Sequence, residues 1–595
     1  MIKVSDYIVK RFAENYGVRH VFMVVGGGAM HLNDSIAKCK QISYVCNHHE
    51  QACAIAAEGY SRSTGKMGVV NVTTGPGGLN TLTGVMGQWT DSVPVLYISG
   101  QVKQETTITH YPDLNLRQLG DQEVDIISVV KPLTKFAEQI TDVNSVKYIL
   151  DKAVYMANEG RPGPVWIDVP MNIQGAMIDE NDQKEFKIPA IANKTINISA
   201  INELLQKAER PLIVAGSGIK ISGAKIEFLK LIEQIKIPVV TTHNGVEMFP
   251  TEHPLFAGRI GTLGSRSGNF ALQNADVVLT IGTRNNIRQI SYNWENFVRE
   301  GKLIMVDIDE AELSKPTLNP ELTICVDAKE FILRLNEENI RKDWGKWIEW
   351  CGHRRKKYPV VLSEYRDCKK GVQPYFFVDK LTKHLSTKSI VIAGNGSASV
   401  TLFQASHVKF GQQYIWNSGC AATGYDLSAA IGASVGNPEK CIICVAGDGS
   451  LMMNIQELAT ISHYNLPVKL IIFNNQGYIS IKQTQDGFFG GNHIGCTQKS
   501  GISFPDFQKT AHAFGLKSMR IDSHEEIDAK IETLLNDNKP VLCEVKLNTD
   551  YKFIPKTSSY TKPDGKIISK PLEDLFPFLP REDFLENMIV KPLEE

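Results

Sequence analysis

No stretch of about 18 consecutive apolar residues occurs in this sequence, so no transmembrane helix is expected. Charge of either sign is not in excess. Lys and Arg number 64 against 65 Asp and Glu, for a formal net charge of -1. That balance leaves no electrostatic footprint for nucleic acid or an anionic membrane. Cysteine is sparse, with 11 scattered through 595 residues. An odd, dispersed set excludes a disulfide framework and predicts free thiols in a reducing cytoplasm. Cys441 and Cys444 form a CxxC, but within the apolar run CIICVAG. Residues three apart on a strand face opposite ways, so the pair is read as structural. The N-terminal MIKVSDYIVKRFAENYGV lacks the apolar core of a secretory signal; Val4, Tyr7, Ile8 and Phe12 recur at helical spacing. Short repeats and low-complexity segments are also missing. Hydrophobic residues make up 43% and charged residues 22%, which excludes disorder, collagen and coiled coil for the whole chain.

A chain of 595 residues is too long for one core, and roughly two to four domains are expected. Short β-branched runs alternate with helical patterns nearly throughout. Examples are VVNV at 69–72, VPVLYI at 93–98, PVWIDV at 164–169, LIVAG at 212–216, DVVLTIG at 276–282, LIMVDID at 303–309 and VKLIIF at 468–473. Such near-continuous apolar strands belong to parallel sheets covered on both faces. The predicted class is α/β, with three doubly wound parallel-sheet domains. The charged run DENDQKEFK, within 175–200, reads as a linker. The stretch NEENIRKDWGKWIEWCGHRRKKYP, within 336–375, reads as a second boundary. The units are then 1–175, 190–335 and 370–550, with a tail at 551–595 that becomes hydrophobic at LEDLFPFL.

The strongest chemical signal lies in the third unit. The strand CIICVA runs into Gly447-Asp448-Gly449-Ser450, a helical stretch follows, and the strand VKLIIF ends in Asn474-Asn475-Gln476-Gly477-Tyr478. Ligands of open α/β sheets bind outside the carboxyl ends of the strands. A carboxylate, an amide oxygen and a backbone carbonyl are hard donors suited to Mg²⁺, which takes its remaining ligands from phosphate and water. Gly447 and Gly449 let the backbone approach a phosphate.

GDGS followed by NNQGY, with 24 residues between Gly449 and Asn474, resembles the binding motif of thiamine diphosphate (ThDP) enzymes. The resemblance implies that Asp448, Asn475 and the carbonyl of Gly477 hold the metal. It places Ser450 and Tyr478 beside the cofactor, with Gly394, Asn395, Gly396 and Ser397 of VIAGNGSAS around the diphosphate. NHHEQACAIAAEGYSRSTG resembles the family's glutamate-bearing helix. Glu50 is then the carboxylate that bonds the aminopyrimidine ring and selects the reactive tautomer, and Glu58 is structural. The segment 73–102, with Gly75 in its turn, resembles the pyrimidine domain. MVVGGGAMHLND at 23–34 resembles the loop over the thiazolium. Gly28 would there offer a backbone N–H to a substrate carboxylate or oxyanion, with His31, His48 and His49 near enough to relay protons. In this family Glu50 and the metal site come from different subunits, which implies a homodimer or homotetramer.

The resemblance covers roughly residues 1–550 and is closest to acetolactate synthase and its relatives. Residues 208–224, 273–286 and 304–315 are similar to the synthase's central Rossmann-like domain. That domain binds FAD, and Arg284 occupies the place of an arginine touching the flavin. Asn285, Asn286, Ile287 and Arg288 replace the synthase's acidic pattern, so FAD stays open here. RQLGDQEVDI at 117–126 resembles the substrate-side segment around Gln122, without the preceding Ala-Phe pair. In GCAATGYDLSAAIGA, Ala421 and Thr423 line the cofactor, and Thr423 stands where a bulky apolar residue is usual. LRQLGDQE, NIRQISYNWENF and PDGKIISKPLEDLFPFL resemble carboligases of surface-polysaccharide pathways of the yersiniose type. The expected reaction moves a two-carbon acetyl unit from pyruvate to a carbonyl acceptor, a nucleotide-linked keto-deoxysugar. The alternatives are acetolactate synthesis from two 2-oxoacids and simple 2-oxoacid decarboxylation.

Overall fold

A computed structural model describes residues 1–190, 196–561, 565 and 567–593. Residues 191–195 of the expected linker, 562–564 and 566 at the tail motif PDGK (563–566), and 594–595 lie outside the described residues. The chain builds three six-stranded sheets. Every strand pair within them is parallel.

The first sheet uses His20–Met23, Ser43–Cys46, Gly68–Val72, Val95–Gln101, Phe136–Gln139 and Val165–Pro170. Counted in chain order, they lie across the sheet as 2-1-3-4-6-5. The third sheet uses Ile390–Ala393, Gln413–Trp416, Ile442–Gly447, Val468–Asn474, Lys517–Ile521 and Val541–Lys546, in the same 2-1-3-4-6-5 order. The middle sheet uses Pro211–Ala215, Val239–Thr241, Phe256–Arg259, Val277–Ile281, Lys302–Asp307 and Leu322–Cys325. Its order is 3-2-1-4-5-6, the arrangement of dinucleotide-binding sheets. The architecture is α/β with three doubly wound sheets. The central strands are buried along both faces, which is why they read as unbroken apolar runs. All eleven cysteines are free, and Cys444 is buried within its strand.

Two helices join the first and third domains. Glu50–Thr64 carries a face of Ala and Gly, as does Tyr425–Gly436. Their backbones touch: a Cβ at Gly432 would lie 1.7 Å from the Ala56 carbonyl oxygen, and one at Gly59 would lie 2.1 Å from that of Ala429. Small residues permit this approach, and any side chain there would push the domains apart.

The charged stretch after the middle sheet is packed rather than extended. Its helix Gly345–Lys357 buries Trp347 and Cys351. The indole N–H of Trp347 donates to the Pro211 carbonyl and that of Trp344 to Ala208, so both rings belong to the middle core. The tail leaves the third domain and returns to the middle one. Glu573 pairs with Arg299 at 2.7 Å, and Asn274 donates to the Asn587 carbonyl.

Candidate active site

In a sheet of order 2-1-3 the switch point lies between the first and third strands, and their outgoing loops diverge there. In the third domain these loops are Gly394–Ser397 and Gly447–Ser450. Both lead directly into helices, Gly396–Ala405 and Asp448–Met453. The fourth strand ends alongside and delivers Asn475. Strand order thus brings together three segments spread over some eighty residues of chain.

The cradle is polar, buried and held from behind. Asp448 is 1% exposed; its oxygens accept the N–H groups of Gly449 at 2.7 Å and Gly477 at 3.1 Å. Burial pushes its carboxyl up to about 7. Among the described residues no Lys, Arg or His pairs with it. Asn475 donates to Ser397 Oγ at 2.9 Å and accepts from the Tyr551 hydroxyl at 3.0 Å. Ser450 donates to Asp426 Oδ2 at 2.6 Å and accepts the Gly424 N–H at 2.9 Å. Burial raises Asp426 to about 6. Asn395 reaches the Ala421 carbonyl at 2.6 Å and Thr423 Oγ1 at 3.1 Å, fixing the loop that carries both. The Tyr478 ring lies flush on Gly449, where a Cβ would come within 2.1 Å of a ring carbon. Gly477, at φ +154°, faces the Cys496 carbonyl, and the Tyr478 N–H donates to that oxygen.

The front of the cradle is open. A Cβ at Gly447 would meet nothing within 4 Å, and one at Gly396 would meet only Ser480 Oγ, at 3.7 Å. A buried carboxylate without a cation, two open glycines and a helix start suit a cation–diphosphate group. Among the described residues no three His, Cys, Asp or Glu side chains gather as a metal site. The donor set here is one carboxylate with an amide and a carbonyl, so the residues fit Mg²⁺ carried with a phosphate ligand.

Glu50 opens the helix Glu50–Thr64, capped by His49, whose Nδ1 accepts the Gln51 N–H at 3.0 Å. Its Oε2 accepts from Asn80 at 2.9 Å, and no hydrogen bond joins it to the cradle residues of its own chain among the described residues. His48 is exposed, and its N–H donates to Glu457. Gly28 is buried in a 3₁₀ turn; its N–H donates to Thr73 Oγ1 at 3.2 Å and its carbonyl accepts from Gln174 at 2.7 Å. That N–H is therefore engaged within the chain. His31 lies behind the loop, its Nε2 3.2 Å from where a Gly175 Cβ would stand. Gln122 is exposed at φ +63°, and its carbonyl presses on Gly75, whose absent Cβ would come within 1.9 Å of it. Glu123 organises that loop by accepting the N–H groups of Ile108, Leu119 and Gly120.

Arg284 lies elsewhere, in a cleft of about 220 Å³ at the middle sheet's own switch point. Gly216, Gly218 and Gly282 pack backbone to backbone there. Arg284 Nη2 stands 3.8 Å from Asp91 of the first domain. His243, 8% exposed, lines the cleft with no hydrogen-bond partner on either ring nitrogen among the described residues. Asn285 bonds Gln289, and Asn286 caps the turn Ile287–Ile290, so both stabilise the cleft wall. An unsatisfied buried ring and two arginines, Arg284 and Arg288, fit a dinucleotide.

Sequence reasoning missed Tyr551, Asp426 and Asn80. Tyr551 sits in the tail, Asp426 in an apolar helix, and Asn80 in a turn, with no motif to mark them.

The open crevice, its glycine loops and the separate glutamate helix define an α/β enzyme that carries a diphosphate cofactor. The chain belongs to the thiamine pyrophosphate enzymes. Residues 2–126 match the family's N-terminal TPP binding domain, 198–335 its central domain, and 394–545 its C-terminal TPP binding domain. Its relatives include acetolactate synthases. The chain is 32% identical to the probable acetolactate synthase large subunit of Methanocaldococcus jannaschii, over 91% of this chain and 92% of that one. It is 30% identical to the large subunit of Lactococcus lactis, over 93% and 94%. With the Brassica napus acetolactate synthase 3 it shares 30%, over 91% and 83%. The protein is therefore a ThDP-dependent carboligase or decarboxylase of the acetolactate synthase type.

Proposed function

We propose that this enzyme decarboxylates pyruvate and joins the two-carbon unit to a second 2-oxoacid, as an acetolactate synthase. The observation that carries the reading is the open cradle around Asp448 and Asn475, on a chain with synthase relatives along its length. Bound ThDP supplies a carbon nucleophile and an electron sink for decarboxylation. Asp448, Asn475 and the Gly477 carbonyl would hold Mg²⁺, and Gly394–Ser397 would receive the diphosphate. Glu50 would hold a proton at the pyrimidine ring. Gln122 would orient the substrate, and the loop around Gly28 would close its side.

Glu50 has no partner in its own cradle, so we assign the complete site to two copies of the chain. Exposed Leu79 beside Asn80, Met86 and Trp89 on the helix Leu82–Asp91 that follows it, and Met452 and Met453 on the helix after Gly447 support a dimer as the minimum unit. No described helix is long and apolar enough to cross a membrane. The middle cleft is the proposed seat of FAD in a non-redox role.

Thr423 favours a second reading. It is small, polar and bonded to Asn395, where a bulky apolar residue would narrow the acceptor space. A polyhydroxylated acceptor such as a nucleotide-linked keto-deoxysugar suits such a wall. The test is the product of pyruvate turnover with ThDP and Mg²⁺, identified by mass spectrometry. Abundant acetolactate establishes the synthase. Slow carbon dioxide release without acetolactate overturns it in favour of a different acceptor. Flavin absorbance of the same preparation reports the middle cleft.

A further inference from the structure

A cleft between the middle and third domains shares no lining residue with the cradle or the Arg284 cleft. Arg259, at the end of the strand Phe256–Arg259, is 5% exposed there. It donates to two carbonyls, Gln404 O at 2.6 Å and Ser406 O at 2.5 Å, while its Nε is buried without a partner among the described residues. Arg355 lines the same cleft and donates to the carbonyls of Thr251, His253 and Phe256. Neither guanidinium has a carboxylate partner among the described residues. Burial pushes Arg259 down to about 10.

The helix-end carbonyls offset part of the Arg259 charge but supply no full anion, and a buried cation of that kind favours an anionic ligand. The two carboxylates on the cleft do not serve. Asp379 is held by His407 at 2.7 Å and Lys383 at 2.9 Å, and Glu252 faces His407 at 3.1 Å. The nine-residue helix Arg266–Asn274 starts at the cleft, capped by Ser265, whose Oγ accepts the Gly268 N–H, and Ser267 also stands on the wall. Guanidinium N–H groups recognise tetrahedral oxyanions, and among the described residues Arg259 Nε keeps one such donor unspent.

We infer that this cleft is a binding site for a phosphate-class anion, held by Arg259 and Arg355. Arg259 also clasps the carboxyl end of the helix Gly396–Ala405, whose first residue lines the cradle. Occupancy therefore bears on the element that positions the diphosphate.

The test uses holoenzyme saturated with ThDP and Mg²⁺, so that the cradle is filled. Inorganic phosphate is titrated calorimetrically against a chloride background of constant ionic strength. The expected result is one saturable site per chain. Arg355→Gln should weaken it at least tenfold while pyruvate turnover is kept. Arg259→Lys retains a cation but loses the fork, and should weaken it likewise if Arg355→Gln fails to fold. Absence of saturable binding overturns the site, as does binding that both variants leave unchanged. A nucleoside monophosphate titrated in parallel identifies the source. Tighter binding than phosphate marks an organic phosphate, and equal or weaker binding marks the free ion; both uphold the site.

Discussion

The first and third sheets share one strand order, 2-1-3-4-6-5, yet their crevices at the same switch point differ. In the first, the loops Gly26–Gly28 and Thr73–Gly78 meet. Thr73 fills the gap: it takes the Gly28 N–H at 3.2 Å, and a Cβ at Gly26 would stand 2.5 Å from its own Cβ. In the third, the matching loops approach only at Gly394, whose Cβ would stand 3.5 Å from Ser450 Oγ, and Gly447 faces free space. The third strand ends in Thr-Thr-Gly-Pro in one sheet and in Gly-Asp-Gly in the other. One topology thus yields a plugged crevice that presents a helix bearing Glu50, and an open one that presents a buried carboxylate. Topology sets where a ligand can sit; the side chains in the two loops set whether it does.

The sharpest division of labour should appear in Asp448→Ala and Glu50→Gln. Losing Asp448 removes a metal donor. Cofactor affinity should fall by more than the roughly 100-fold typical for an outer partner of a metal ligand. Turnover at moderate cofactor concentration should vanish with it. Glu50→Gln should retain ThDP and lose roughly 10²–10⁴ in turnover, the range for a positioned proton-transfer group. Calorimetric ThDP binding beside steady-state rates separates the two. Equal loss of binding in both variants would end the assignment of separate roles.

A milder pair probes plug against opening. Gly26→Ala must displace Thr73 and should cost about 1–3 kcal/mol of stability, as overpacking does. Gly447→Ala meets no atom within 4 Å and should leave the apoprotein's denaturation midpoint unchanged. Its methyl group enters the crevice, so ThDP affinity should drop at least about tenfold, or 1.4 kcal/mol. A destabilised Gly447→Ala apoprotein with normal ThDP affinity would contradict the open crevice.

Much of this was legible in the sequence, for identifiable reasons. The motif around Asp448 and Asn475 is compact, since strand, helix and strand fall in one stretch. The α/β class followed from apolar strands buried on both faces. The strand orders were not legible, because apolar patterning marks that a strand is buried and not which strand lies beside it. Tyr551 was missed since it arrives from 76 residues beyond Asn475. The stretch around Trp344 and Trp347 read as a boundary because its charges dominate the composition. Inward-facing indoles can be told from outward-facing ones only once the sheet beneath them is in place. The engagement of the Gly28 N–H by Thr73 is likewise a contact between distant loops, invisible to local pattern.

The effect that only a pH series reveals lies at the seam between the two compared domains. Glu58 is fully buried on the helix Glu50–Thr64, accepting from the Tyr425 hydroxyl at 2.9 Å and from Arg62 at 3.1 Å. Burial, helped by the nearby Asp91 charge and opposed by Arg62, raises its carboxyl from 4.5 to about 7. An acid with a raised folded pKa keeps its proton in the native state after the unfolded chain has released it. The native state then binds more protons between pH 4.5 and about 7, so stability falls as pH rises through that window. One group contributes at most about 1.4 kcal/mol per pH unit. Asp168 and Asp426, each raised to about 6, act in the same direction and are present in every variant. Glu58→Gln should remove its own share of the slope. Arg62 still has Asp91 at 3.5 Å, which limits the damage. Urea midpoints of wild type and variant, measured across that window, should agree at its acid end, where Gln mimics the protonated acid, and diverge toward alkaline pH as the wild type loses stability. Parallel curves would mean that Glu58 is ionised throughout. The seam would then be held by an ion pair with Arg62, rather than by a neutral carboxyl packed where two backbones touch.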